Sequence, residues 1–379
     1  MEILFSYYII TVVNSSIIMK NCFIIYIISF FSPALLICGD TIDSLRYDKE
    51  KHFANIRQLT FGGDNAEAYW SFDGKELIFQ SNWDKLTKQG CDQIFRMKAD
   101  GTPYQNGKKY ELVSTDKGRT TCSYFLNDGR IIFGSTHEAG GSCPEATMFA
   151  EGRYVWNIYD SYDIYVTDKN GKNPEKLIAS SKYDAEATVS PDGKYIVFTS
   201  NRSGDLELWR YDVSTGALKQ LTNTLGYDGG AFFSPDGKKI VWRASRPVKD
   251  QDVKNYKELQ EKGLVEPKEL QLFIADIDGN NVEQITQLPG ANWAPFFHPS
   301  GQKILFCSNH HSQQKGGREF AIFMIDIRSK NVEQITHSGT FDAFPMFSPD
   351  GKKIVWCSNR NKERTPTRST NVFVADWVE

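Results

Sequence analysis

The stretch "SPDGKKIVW" occupies Ser234–Trp242 and recurs letter for letter at Ser348–Trp356. Its first four residues are typical of a tight turn, since Pro fixes φ, Asp accepts hydrogen bonds from its own backbone and Gly takes a positive φ. The residues that follow are mostly β-branched or aromatic, as in strands. The stretch therefore predicts a turn that leads into a β-strand.

Six versions of this turn are spread along the chain at intervals of 44 to 64 residues. They begin at Ser71, Leu126, Ser190, Ser234, His298 and Ser348. A strand-like segment precedes each turn and others follow it, and several units end on "QLT" or "QIT". Four short strands (a, b, c and d) in a meander are typical of a β-propeller blade. An open β-solenoid and a β-sandwich are the alternatives, and the hairpin turns favour the propeller.

The last unit ends at strand c, in "NVFVADWVE", and has no strand d of its own. Conversely, "NIRQLTFGG" at Asn55–Gly63 looks like a strand d with no unit ahead of it. Pairing the two would leave no open sheet edge in the ring. We therefore predict an all-β fold over residues 55–379, a six-bladed propeller of four-stranded blades closed by the N-terminal strand.

The repeated "SPDGKKIVW" blade with "QLT" ending the previous one resembles the TolB-like (WD40-like) repeat family. The resemblance spans Asn55 to Glu379 and implies a six-bladed propeller without the N-terminal α/β domain of TolB. Similar propellers accompany prolyl oligopeptidase-type enzymes, so the resemblance implies a fold rather than an activity.

Residues 1–38 differ from the rest, with apolar runs at Ile3–Ile18 and Cys22–Ile37. Met19-Lys20 provides a positively charged start for a secretory leader, and "LLIC", ending at Cys38, resembles a lipidation site. We expect a leader over 1–38, with a true start at Met19 or an uncleaved anchor as alternatives, and a linker over 39–54. The protein is then exported, as a periplasmic or membrane-anchored lipoprotein of a bacterial envelope, and meets the membrane through this leader or lipid.

A net charge of −3 gives no basic footprint for nucleic acid. Export permits a disulfide among Cys91, Cys122 and Cys143, whose pairing the sequence leaves open. Cys307 and Cys357 occupy matching positions and are expected to be buried thiols. A monomer is expected.

The long and individual loops all connect strands b and c, at His137–Ser161, Ser245–Glu269, Asn309–Glu319 and Asn359–Asn371. In a propeller these loops share one face, here named the b–c face, with the d–a connections. Variable loops on a rigid scaffold are common binding surfaces. The insert after Lys249 predicts a short helix, with Val253, Tyr256 and Leu259 on one side and Gly263 as its stop.

Two sets of polar residues are expected at the channel mouth on this face. An inner ring lies at the start of each strand a, where Glu67 and Glu186 should point the same way as the residues two positions before them. A second ring lies at the end of strand b. The candidate ligand-binding residues are Asn65, Glu67, Asp184, Glu186, Asp228, Asn292, Asp342, His137, Arg202, Arg246, His310 and Arg360. The alternative is that Asp–Arg pairs join the blades, and both roles can coexist at different positions.

No G-x-S-x-G, C-x-x-C or H-E-x-x-H motif is present, so the sequence contains no recognisable catalytic set. No cofactor is expected. His137, His310, Asp184 and Asp228 are candidate ligands for a divalent cation. We expect a non-enzymatic propeller that binds a protein, peptide or glycan of the envelope at the b–c face. A metal-dependent polysaccharide lyase or hydrolase-like enzyme and a structural envelope component are the alternatives.

Overall fold

The computed structural model describes residues 44–361 and 369–379, in which six four-stranded antiparallel sheets follow one another as blades. Blade 1 consists of β2 (Asn65–Trp70), β3 (Glu76–Ser81), β4 (Gln93–Lys98) and β5 (Glu111–Leu112). Blade 2 consists of β6 (Thr120–Phe125), β7 (Ile131–Ser135), β11 (Asp163–Val166) and β12 (Glu175–Ile178). Blade 3 consists of β13 (Asp184–Val189), β14 (Tyr195–Ser200), β15 (Glu207–Asp212) and β16 (Leu218–Gln220). Blades 4 and 5 consist of β17 (Asp228–Phe233), β18 (Lys239–Ala244), β20 (Gln271–Asp276) and β21 (Glu283–Gln284); and β22 (Asn292–Phe297), β23 (Lys303–Ser308), β24 (Ala321–Asp326) and β25 (Val332–Gln334).

Blade 6 contains both ends of the propeller and confirms the predicted closure. Its strands are β26 (Asp342–Phe347), β27 (Lys353–Ser358), β28 (Asn371–Trp377) and, outermost, β1 (Phe53–Gln58). β1 runs antiparallel to β28, with Phe53 opposite Trp377 and Gln58 opposite Phe373. Phe53 is fully buried and its ring stacks on that of Trp356, with 4.8 Å between centroids. The N-terminal strand is therefore part of the core.

The segment before β1 is also part of the propeller, although the sequence suggested a linker over 39–54. Glu50 is 1% exposed and binds Arg360 through both carboxylate oxygens, at 2.9 and 3.1 Å. The same carboxylate accepts a hydrogen bond from the backbone N–H of His337, which follows β25 of blade 5. Glu50 thus joins blades 5 and 6. The predictions for the leader over 1–38, including Met19 and Cys38, lie outside the described residues.

The remaining elements belong to the b–c loops. They are β8 (Phe149–Ala150), β9 (Arg153–Tyr154) and β10 (Trp156–Asn157) in blade 2, α1 (Asp250–Glu261) and β19 (Leu264–Val265) in blade 4, and the 3-10 helix η1 (His310–Lys315) in blade 5. The predicted helix is confirmed, and Tyr256 and Leu259 are its buried residues. Among the described residues, no helix combines the length and apolar character needed to cross a membrane.

Every strand a contains a bulge at its third residue, where φ lies between 45° and 60°. The pairing of strands a and b shifts by one residue at this position in all six blades. A bulge re-aims the side chains that follow it and interrupts the alternation of a regular strand. The expectation that Glu67 and Glu186 follow the direction of Asn65 and Asp184 was therefore wrong. The bulge residues are Glu67, Cys122, Glu186, Gly230, Ala294 and Phe344.

Candidate functional site

The acidic and basic rings meet as ion pairs within blades. Arg202 binds Asp184 at 2.5 Å, and Arg246 binds both oxygens of Asp228, at 2.6 and 2.9 Å. Asp342 binds Arg360 at 3.1 Å. All three aspartates lie at the start of a strand a and are fully buried. Each pair ties strand a to the end of strand b in the same blade. Glu50 extends the Asp342–Arg360 pair to the neighbouring blade, and Ser180 and Ser338, which follow strand d of the preceding blades, donate to Asp184 and Asp342. These carboxylates are committed to the fold.

The other members of the two rings are also held within the fold, by hydrogen bonds and ring contacts instead of ion pairs. The amide of Asn292 donates to two backbone carbonyls and its oxygen accepts from Ser308, while the amide of Asn65 donates to Gly62 and Thr370. His137 and His310 each contact the serine two residues earlier, at 2.9 Å. Their rings lie on Tyr165 and Phe323, and burial lowers the pKa of both imidazoles.

The candidate metal ligands do not converge. Asp184 and Asp228 lie in adjacent blades, each held by its own arginine, and His137 and His310 lie over the aromatic rings of blades 2 and 5. Residues 44–361 and 369–379 contain no group of three or more His, Cys, Asp or Glu side chains placed to hold a metal ion.

Glu207 occupies a position that carries an amide in three other blades. Gln93, Gln271 and Asn371 also begin strand c, and each accepts a hydrogen bond from a Ser or Thr hydroxyl after strand d. Glu207 is 3% exposed and its Oε2 has no hydrogen-bond partner in the described part of the chain. Burial, with Asp228 and Asp205 nearby, raises its pKa to about 8, against the opposing effects of Thr222 and Arg246. A protonated Glu207 carboxyl group is neutral and can both donate and accept hydrogen bonds, as the side-chain amide does at the matching position of three other blades.

Replacing this carboxyl by the amide is expected to remove a pH dependence of stability. Because the folded-state pKa lies above the unfolded one, the stabilisation by protonated Glu207 is lost as the pH rises from about 4.5 to about 8. Glu207→Gln should therefore unfold like the wild type at about pH 5 and be more stable at about pH 9, by a difference on the order of 3 kcal/mol. Urea titrations at both pH values measure this difference. The exposed Glu175→Gln is the control, and equal pH profiles for wild type and Glu207→Gln would contradict the expectation.

The bulge residues surround the channel axis, where a cavity of about 20 Å³ is lined by Glu67, Cys122 and Glu186. Glu186 accepts hydrogen bonds from Tyr227 at 2.8 Å and from Thr199 and Arg243 at 3.1 Å. Glu67 Oε2, by contrast, has no hydrogen-bond partner in the part of the chain that the structure describes. Burial raises its pKa to about 7, although a hydrogen bond from Cys122 opposes the shift.

Arg243 enters the channel because blade 4 has two glycines in strand a. A Cβ on Gly230 would lie 1.9 Å from Arg243 Nη1, and one on Gly229 would lie 2.4 Å from the Tyr227 hydroxyl. Consecutive glycines within a strand indicate a close approach of other groups. The stretch "YDGGAFF" from Tyr227 was the signal for this arginine, which sequence reasoning missed.

The insert of blade 2 crosses the b–c face and pairs with the insert of blade 4. Trp156 of β10 lies opposite Val265 of β19, and a disulfide between Cys91 and Cys143 ties the insert to blade 1. The disulfide settles which of the three candidate cysteines pair and leaves Cys122 as a thiol, while Cys307 and Cys357 are fully buried as predicted. The crossing holds Trp156 over the channel, 5.3 Å from the guanidinium of Arg243.

An aromatic cluster is centred on Trp293 at the mouth of the channel. The ring centroid of Trp293 lies 5.9 Å from that of Trp156, 5.8 Å from that of Phe320, 6.3 Å from that of Phe341 and 4.9 Å from that of Phe344. All of these except Phe344 are partly exposed. We name these five residues the mouth cluster. Sequence reasoning did not foresee this cluster, because its members come from separate parts of the chain. Trp156 lies in the insert of blade 2, Phe320 in a b–c connection and Phe341 in a d–a connection, and the other two lie on bulged strands.

Comparison with known proteins agrees with this architecture. The model of a TolB β-propeller domain family matches residues 154–266 and 264–365, which together make up more than half of the chain. An uncharacterised protein of Agrobacterium fabrum is 24% identical over 63% of this chain and 64% of its own length. The Tol-Pal system protein TolB of Bordetella pertussis is 30% identical over 41% of this chain and 31% of its own length. The chain thus spans less than two thirds of either relative.

Two solved structures show the same fold. The putative TolB from Agrobacterium tumefaciens matches with a TM-score of 0.51 and 18% identity, over 84% of this chain and 91% of that one. TolB from Acinetobacter baumannii matches with a TM-score of 0.51 and 19% identity, over 83% and 64%. With the family model covering most of blades 2 to 6, the chain belongs to the TolB β-propeller domain family.

Proposed function

We propose that this propeller is exported and binds a protein partner of the cell envelope at its b–c face, without catalysing a reaction. The observation that supports this most is the mouth cluster around Trp293. The relatives named as Tol-Pal system proteins and the apolar leader-like sequence of residues 1–38 support the location.

The mouth cluster has the character of a protein-binding centre. Trp and other aromatic side chains are enriched where protein interfaces concentrate their binding energy, and such residues lie centrally within a rim of weaker contacts. Trp293 is partly exposed and is held in place by Trp156, Phe320 and Phe344, so that little side-chain freedom is lost on binding. The b–c loops around it would supply the rim.

A photocrosslinking amino acid at position 320 tests this proposal against one at position 218, an exposed leucine on strand d of blade 3. We expect the variant labelled at 320 to form an adduct with one envelope protein, identified by mass spectrometry, and the variant labelled at 218 to form none. Trp293→Ala should weaken the binding of that protein about tenfold or more. Equal labelling from both positions, or affinity unchanged by Trp293→Ala, would refute the b–c face as the binding surface.

A further inference from the structure

The channel cavity below the mouth cluster has an excess of negative charge. Glu186 is matched by Arg243, which donates to it from Nη2 at 3.1 Å. Glu67 faces the same cavity, and its Oε2 has no hydrogen-bond partner among the described residues. Ser123 also lines the cavity, with a hydroxyl group that is unpartnered in the described chain although the residue is only 2% exposed. Buried polar atoms are rarely left without a partner.

The cavity lies nearer the b–c face than the rings that fill the channel, since Glu67 is the third residue of a strand a that begins at that face. Glu67 and Cys122 are partly exposed, whereas the opposite end of the channel is filled by rings. The ring centroid of Tyr69 lies 5.8 Å from that of Tyr124 and 5.4 Å from that of Phe232, which in turn lies 5.4 Å from that of Phe296. A group that enters past the mouth cluster therefore ends at Glu67.

Size and charge define the group that fits. A cavity of about 20 Å³ accommodates one group the size of a water molecule. A primary ammonium meets that limit, whereas a guanidinium is larger and planar. Calcium takes six to eight oxygen ligands, and residues 44–361 and 369–379 contain no group of three or more His, Cys, Asp or Glu side chains placed to hold a metal ion. Aromatic faces above the carboxylate stabilise a cation during entry.

We propose that the partner bound at the b–c face inserts a lysine side chain into the channel, where its ammonium group pairs with Glu67 and its aliphatic stem lies against the mouth cluster. This inference rests on the proposed function and specifies the chemistry of the same site. The ammonium supplies donors for Glu67 Oε2 and Ser123 Oγ and balances the charge that Arg243 leaves uncompensated. A neutral hydroxyl is the competing occupant, because Arg243 Nε also lacks an acceptor within the described structure.

Small probes test the pocket without the partner. n-Butylammonium should bind the wild-type chain saturably at about pH 8, where Glu67 is ionised, as measured by calorimetry and by the carboxyl carbon resonance of Glu67. n-Butanol should not bind, and Glu67→Gln should weaken the butylammonium affinity about tenfold or more, whereas Glu175→Gln should not. Equal binding of n-butanol, or of n-butylammonium to Glu67→Gln, would overturn the proposal. Stoichiometric calcium that displaces the amine would overturn it as well.

The crosslinking variants separate this inference from the proposed function. If position 320 captures a partner and Glu67→Gln lowers its affinity about tenfold or more, both stand. If capture and affinity are the same in Glu67→Gln and in the wild type, the lysine inference fails while the binding surface remains. If the wild type labelled at 320 captures nothing, the proposed function fails, whatever the probes show.

Discussion

A chain that begins at residue 60 is expected not to fold, whereas one that begins at residue 44 should unfold cooperatively. The first lacks β1 and with it the buried side chains of Phe53 and Ile56, which pack against Trp356 and Phe373 in blade 6. Each such side chain contributes about 1.5–3 kcal/mol through burial, and the edge of β28 also loses its hydrogen-bonding partner. The total is comparable with the net stability of a typical domain, about 5–15 kcal/mol.

Thermal unfolding followed by circular dichroism compares the two truncations. Both lack the apolar residues 1–38, so solubility differences caused by that segment are removed from the comparison. A synthetic peptide with the sequence of residues 44–60 should partly restore the shorter chain if the lost strand is the cause. Identical melting curves for the two truncations would show that β1 does not hold the ring closed.

Arg360→Ala is expected to destabilise the propeller by about 3–5 kcal/mol, because it leaves two buried carboxylates without a counter-charge. Arg360 is 1% exposed and binds Glu50 and Asp342, both of which are buried. Urea denaturation of Arg360→Ala and the wild type at neutral pH measures the loss.

Arg202→Ala is the matched control for this arginine. Arg202 pairs with a single buried carboxylate and its own side chain is 14% exposed, so solvent can partly replace it. We expect a smaller loss for Arg202→Ala than for Arg360→Ala. A loss of equal size in the two variants would mean that Glu50 adds nothing to the stability of the closure between blades 5 and 6.

The blade count, the closure and the helical insert could be predicted because each depends on local chemistry that repeats. A Pro-Asp-Gly turn specifies a hairpin wherever it occurs, and the absent strand d of the last unit has one complementary segment, at Ile56–Thr60. The disulfide partner of Cys91 could not be predicted, because it depends on how the insert of blade 2 crosses the face.

The site was harder to predict because it depends on the bulges. Alternation along a regular strand would aim Glu67 with Asn65, yet a positive φ at Glu67 turns its side chain to the channel while Asn65 stays within the blade. The alternative that Asp–Arg pairs join the blades was right about the kinds of residue and wrong about the blades, because the pairs form within a blade between adjacent strand ends. Glu50 was missed, since a single acidic residue before a strand has no distinctive pattern.

The pairing of β1 with β28 also has a consequence for biogenesis. His52 contacts Val378 across a sequence separation of 326 residues, so the outer strand of blade 6 has no partner until almost the whole chain has been made. Contacts between such distant residues form late, because the chain between them must first be ordered. During synthesis the segment from Phe53 to Gln58 is a strand without a neighbour, and unpaired strands are prone to pair with other chains. The ring therefore closes only once β28 is available to pair with this segment.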